Sequence, residues 1–145
     1  MRVTRIAAAL TAAAALALTG CSNSDSGSSA SGSPTGGSPT DAYTIGVTQI
    51  VSHPALDAAV EGFKQGLTEA GYTNVTYDVQ NAQGDMATAS SIAQKFASDK
   101  PDLVLGVATP TSQAVVKALT DTPIVFTAVT DPVGAGLVSN AEAPA

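Results

Sequence analysis

The chain has 145 residues, 44% hydrophobic and 12% charged, with no tryptophan, a single cysteine and a formal net charge of -6. That length sets a ceiling of one small domain, and one cysteine excludes an internal disulfide. Arg2 and Arg5 lie in a segment expected to be removed, which leaves four lysines against twelve carboxylates, a net of -8 that argues against nucleic-acid partners and against charge-driven binding to anionic lipid. No Cys/His cluster has the spacing of a zinc site, so neither metal nor cofactor is expected.

Residues 1–20 have the layout of a secretory signal: basic Arg2 and Arg5, an apolar run from Ile6 to Leu18, then small residues. The run is too short to span a bilayer as a helix, so it reads as an export address. Its ending, Leu18-Thr19-Gly20-Cys21, resembles the lipobox of bacterial lipoproteins. By that resemblance the Cys21 thiol takes a diacylglyceryl group, cleavage falls before it, and the chain is lipid-anchored on the extracytoplasmic face of the cell membrane. Two acyl chains on one residue meet the requirement for stable anchoring. The alternative is an ordinary secretory signal with a chance cysteine, which would leave a free thiol outside the cell. With Cys21 included, residues 21–40 form the next unit. Ser22 to Thr40 is almost wholly Ser, Gly, Pro, Thr, Asn and Ala, a composition that reads as a flexible tether with a root-mean-square reach of roughly 25 Å.

The ordered part, residues 41–145, begins near Tyr43. Tyr43 to Gln49 has the β-branched content of a strand, with Gly46 allowing close backbone approach. Pro54 to Ala70 places Leu56, Ala59, Val60, Phe63, Leu67 and Ala70 at helical spacing, with Asp57 and Glu61 near the positive end and Gly71 as the stop. Val75 to Asn81 is a second strand. Met86 to Ser98 is a second helix with Ala89, Ile92, Ala93 and Phe96 on its inner face, closed by Lys100-Pro101. Leu103 to Val107 is an unbroken apolar run suited to a central parallel strand. Thr109 and Pro110 then suit the N-cap and first position of a third helix. Pro123 to Val129 reads as a fourth strand.

Strands alternating with helices predict right-handed crossovers and an α/β fold, a parallel, three-layer, Rossmann-like sheet covered on both faces. Ligands of such sheets bind outside the carboxyl ends of the strands, near the switch in strand order. Four segments meet that rim: Thr48 to His53, Asn81 to Asp85, Ala108 to Ser112, and Thr130 to Pro132. Their hydroxyls, amides, imidazole and carboxylates suit a small polar or zwitterionic molecule. Thr109, Thr111 and Ser112 are assigned to a ligand carboxylate through hydroxyls and helix-start N–H groups, with Thr109 doubling as the cap. Thr48, Gln49 and Ser52 either touch the ligand or cap the first helix. His53 reads as a solvated cap or as a ring stacked on a ligand. Asp131 either receives a ligand ammonium or forms an ordinary Asp-Pro turn. Asn81 is a weaker candidate, and Asp85 is an expected helix cap.

At these segments the sequence resembles a known family. The stretches Ile45-Gly46-Val47-Thr48-Gln49, His53-Pro54-Ala55-Leu56-Asp57, Gly62-Phe63, Ala108-Thr109-Pro110-Thr111-Ser112-Gln113-Ala114, Thr130-Asp131-Pro132-Val133 and Ala135-Gly136-Leu137-Val138 are similar to the substrate-binding proteins of ABC importers, in the tryptophan/tyrosine-type subfamily. The resemblance implies the N-terminal lobe of a type I periplasmic binding protein, a non-enzymatic monomer that binds an amino acid and docks on a membrane permease. It also implies a second lobe, which residues 41–145 do not contain, so the chain is expected to be an N-terminal portion or the product of a truncated gene. Two other functions stay open from the residues alone: an extracytoplasmic hydrolase using Ser52, His53 and Asp57 or Asp131, and a sensor lobe or inert fragment without a ligand.

Overall fold

The computed structural model describes residues 37–142. The expected signal segment, the expected lipidation at Cys21 and most of the expected tether fall outside the described residues. The last stretch assigned to the tether is not featureless: Ser38 N–H donates to the Asp41 carboxylate at 2.9 Å, and the Tyr43 hydroxyl donates to the Ser38 carbonyl at 3.1 Å. The strand that follows therefore starts from a closed turn.

The elements alternate as expected: β1 (Tyr43–Gln49), α1 (Pro54–Glu69), β2 (Val75–Asn81), α2 (Met86–Asp99), β3 (Leu103–Val107), α3 (Thr109–Ala118) and β4 (Ile124–Thr127). All pairings are parallel and the sheet order is β2-β1-β3-β4. The chain thus winds outward from β1 to β2, then crosses back past β1 to β3 and β4. That reversal is the switch in strand order, and it lies between β1 and β3.

Period-two alternation sends the two faces of the sheet to different helices. Ile45, Val47, Leu105 and Val107 face Val60 of α1, with Leu56, Phe63 and Leu67 packed against them. Val104 faces Ala89, Ile92, Ala93 and Phe96 of α2 and Val115 of α3. Gly46 lies under α2 because a Cβ there would come within 3.0 Å of the Phe96 ring. The predicted inner face of α2 is thus the buried one. Ala70, predicted on the inner face of α1, is instead its exposed C-cap.

Three boundaries differ from expectation. β4 is shorter than Pro123 to Val129 because Ala128, at φ 57, turns the backbone out of the extended region. α2 runs on to Asp99, and Lys100, at φ 50, closes it as a left-handed cap. The third concerns α3. Its N-cap is Ala108, not Thr109, and no side chain supplies a capping hydrogen bond. Thr109 and Pro110 are already helical, because β3 turns into the helix in one residue at Ala108, with φ 74 and ψ 159.

Candidate functional site

The rim is built from loops held in two separate halves. On one side the loop after β1 is tied to the end of β2: Ala82 N–H donates to the Gln49 carbonyl at 2.8 Å, Gly84 N–H to the Ile50 carbonyl at 2.7 Å, and the Asn81 amide to the Ser52 hydroxyl at 3.2 Å. On the other side the end of β3 is tied to the segment after β4. Ala108 N–H donates to the Thr127 carbonyl at 2.9 Å, and the Gln113 amide donates to the Ala135 carbonyl at 2.9 Å. Beyond the β1–β3 ladder, no hydrogen bond joins the two halves among the described residues. The boundary between them therefore falls at the switch in strand order, where open parallel sheets bind ligands.

Each candidate residue has a definite place. Ser52 and His53 are exposed in the first half. His53 is the N-cap of α1, and its Nδ1 accepts from Ala55 N–H at 3.2 Å, which leaves the ring proton of the neutral imidazole on Nε2. Gln49 is buried on the α1 face and its amide donates to Asp57 Oδ1 at 2.6 Å. Thr48 is 1% exposed on the opposite face, and its Oγ1 has no hydrogen-bond partner. Asp131 is exposed after β4 and its carboxylate accepts from Gly134 N–H at 2.9 Å, so one oxygen closes a local turn. Asp85 caps α2, accepting from Thr88 N–H at 2.6 Å, and that hydrogen bond holds its carboxyl below the usual carboxylate range.

Thr109 is half-buried at the first helical position, while Thr111 and Ser112 are fully buried. Both buried hydroxyls fold back on the chain: Thr111 Oγ1 donates to the carbonyls of Val107 and Ala108, and Ser112 Oγ donates to the Ala108 carbonyl at 2.8 Å. Ser112 N–H is also taken, by the same carbonyl at 3.1 Å. The N–H groups of Thr109 and Thr111 have no partner among the described residues. Thr111 is sealed, so the Thr109 N–H is the donor that this helix start offers at the rim.

Ser52 and His53 do not form a nucleophile–base pair. The Ser52 hydroxyl is engaged by Asn81 and His53 Nδ1 by a backbone N–H, so the arrangement the hydrolase reading needs is not assembled. Among the described residues no three or more His, Cys, Asp or Glu side chains are grouped to hold a metal ion, and no helix is long and apolar enough to cross a membrane. A cleft of about 340 Å³ lies at the opposite, amino-terminal end of the sheet, beside Lys100, Pro101 and Asp102, away from this rim.

Three residues that shape the rim escape sequence reasoning. Gly106 sits where a Cβ would lie 2.7 Å from the Ser112 hydroxyl oxygen and 3.0 Å from the Ser112 Cα, so only glycine lets α3 press onto β3. Its signal was there to see, a glycine interrupting an apolar strand. Gln113 acts through a side chain that bonds 22 residues onward, and Ala108 through a backbone angle. Neither leaves a local pattern.

A doubly wound α/β lobe with its polar rim at the strand-order switch is the architecture of a small-molecule binding protein. Residues 44–145 match the family of ABC transporter substrate binding proteins, and the chain belongs to that family. It is 49% identical over 130 residues to a tyrosine-binding protein of Clostridioides difficile, covering 88% of this chain and 37% of that protein. Among solved structures it is similar to the ligand-free, open form of a substrate binding protein with adhesive properties from Clostridium difficile, with a TM-score of 0.66 and 52% identity over 68% of this chain and 34% of that one. It is also similar to an ABC domain in complex with L-Trp from Streptococcus pneumonia, with a TM-score of 0.69 and 39% identity over 72% of this chain and 36% of that one. The chain spans little more than a third of the length of these relatives.

Proposed function

We propose that the chain is the first lobe of the solute-binding component of an ABC importer, and that its ligand is an amino acid with an aromatic side chain. The observation that supports this most directly is the position of the polar rim at the strand-order switch, in a chain 49% identical to a tyrosine-binding protein. The α-carboxylate is assigned to the free N–H of Thr109 at the positive end of α3. Thr48 and Gln49 support the rim from β1, and Ser52, His53 and Asp131 line it from the flanking loops, with the second oxygen of Asp131 left for an ammonium group. Thr111 and Ser112 contribute backbone and packing rather than free hydroxyls.

The reading has no chemical step, so the protein is a receptor and not an enzyme. It delivers its ligand to a membrane permease as a monomer, held outside the cell by lipid on Cys21. Titration calorimetry of the full-length protein with L-tyrosine, L-tryptophan and L-lysine tests the ligand class: saturable heat is expected for the two aromatic amino acids and not for lysine. No heat with any of them at millimolar concentration sinks the proposal. The anchor is tested separately, because Cys21→Ala is expected to move the protein from the membrane fraction to the soluble fraction.

A further inference from the structure

The corner between β3 and α3 holds a conformation that its sequence does not favour. Ala108, at φ 74 and ψ 159, occupies a region of backbone space that is essentially reserved for glycine. Such a conformation persists only where its surroundings over-determine it. Here they do: Ala108 N–H is held by the Thr127 carbonyl, and the Ala108 carbonyl accepts from Ser112 N–H, Ser112 Oγ and Thr111 Oγ1. One strained peptide is gripped from both ends.

The grip sets the direction of the ligand-facing donor. Ala108 is the hinge between the strand and the helix, so its backbone angles decide where the Thr109 N–H points. Gly106 permits the grip by letting Ser112 lie against β3. Thr48 pairs with Gly106 in the β1–β3 register and shares its face, which places a sealed hydroxyl without a partner beneath this same first turn. The corner therefore holds both an unpartnered buried polar group and an unused backbone donor.

We infer that Thr111 and Ser112 are positioning residues: their hydroxyls hold Ala108 in its strained conformation and so aim the Thr109 N–H at the ligand-binding rim. This rests on the binding reading above, but its physical core does not need a ligand. If the hydroxyls work through strain at residue 108, removing the strain removes the need for them. Glycine adopts these angles without penalty. Ser112→Ala is thus expected to matter with alanine at 108 and to matter little with glycine there.

The test is a double-mutant cycle in the full-length chain, combining Ala108→Gly with Ser112→Ala. A parallel rescue compares Thr111→Val, which loses the hydroxyl, with Thr111→Ser, which keeps it. Amide hydrogen exchange at Ala108 and Ser112, whose N–H groups belong to the grip, is read first, without ligand, followed by the dissociation constants for L-tyrosine and L-tryptophan. Ser112→Ala is expected to speed exchange and weaken binding by about tenfold in the Ala108 chain, and by less than about threefold in the Ala108→Gly chain. Thr111→Ser is expected to keep wild-type values that Thr111→Val loses. Equal losses in both backgrounds overturn the inference, because the hydroxyls would then act directly or by packing alone. Unchanged exchange and binding in all variants overturns it as well. If the wild-type chain binds neither amino acid while the exchange cycle still shows coupling, the ligand reading fails and the positioning role stands.

Discussion

Thr48 shows how a polar residue at the rim differs from a polar residue in contact with solvent. Its Oγ1 is sealed and has no partner, so the hydroxyl carries a desolvation cost with no hydrogen bond to offset it. Thr48→Val keeps the shape and removes that cost. The variant is expected to melt at or above the wild-type temperature, with a gain of up to about 1 kcal/mol in denaturant unfolding. A clear loss of stability would show that the hydroxyl is satisfied by a buried water. Asp131 behaves differently, since one carboxylate oxygen is committed to Gly134 N–H while the residue stays exposed. Asp131→Asn preserves the turn-forming oxygen and removes the charge. It is expected to leave the melting temperature unchanged and to weaken binding of an amino acid whose ammonium it receives, which calorimetry with L-tyrosine checks.

At the scale of elements, the two strand glycines set how closely helices approach the sheet. Gly46 gives room to the Phe96 ring of α2, and Gly106 gives room to the first turn of α3. The consequences differ because the neighbours differ. At Gly46 an added methyl meets a side chain, whereas at Gly106 it meets the Ser112 Cα, part of a helix backbone that cannot rotate away. Overpacking of this kind costs about 1–3 kcal/mol. Gly106→Ala is expected to fall at or above the upper end of that range in chemical denaturation and Gly46→Ala below it. The reverse order would show that α3 yields more readily than the Phe96 ring. The helix starts also differ in kind: α1 is capped by an imidazole, α2 by a carboxylate, and α3 by no side chain at all. Only at α3 does the positive end stay free for an anion.

Across the whole molecule, charge decides the response to acid. Asp78 is held below the usual carboxylate range chiefly by its hydrogen bond from Lys95, against a smaller opposing effect of burial, and the Asp85 carboxyl is held low by Thr88 N–H. Lys95 in turn is raised by Asp78 and Asp99. A carboxyl whose folded pKa is depressed stabilises the fold above its unfolded pKa of about 4, and that contribution is lost as pH falls through the lower folded value. The melting temperature is therefore expected to hold through neutral pH and to drop below about pH 4. Asp78→Asn should flatten part of that drop, and an unchanged acid profile in the variant would show that Asp78 plays no part. The sheet is unevenly covered at the same scale. Among the described residues α1 is the one helix on its face of the four strands, and Val79 on β2 and Val125 on β4 are 45% and 43% exposed at the two edges of that face.

What the sequence by itself determined was the order of elements, three strand spans to the residue, the buried stripe of α2 and the family to which the chain belongs. These depend on periodicities of two and 3.6 and on Gly, Pro and Asp punctuation, all of which act over a few neighbouring residues. The rim segments were legible for the same reason, because a parallel sheet places its carboxyl ends together whatever the loops contain. Tertiary structure alone decided which groups at that rim are free. Hydroxyls at 111 and 112 look available in the sequence but bond back to β3 and Ala108, and the cap passes from Thr109 to Ala108, because Gly106 lets the helix descend onto the strand. The tie from Gln113 to Ala135 and the sealing of Thr48 Oγ1 without a partner among the described residues arise between segments far apart in the chain. Hydrogen-bond capacity is a property of a residue, but whether it has been spent is a property of the packed molecule.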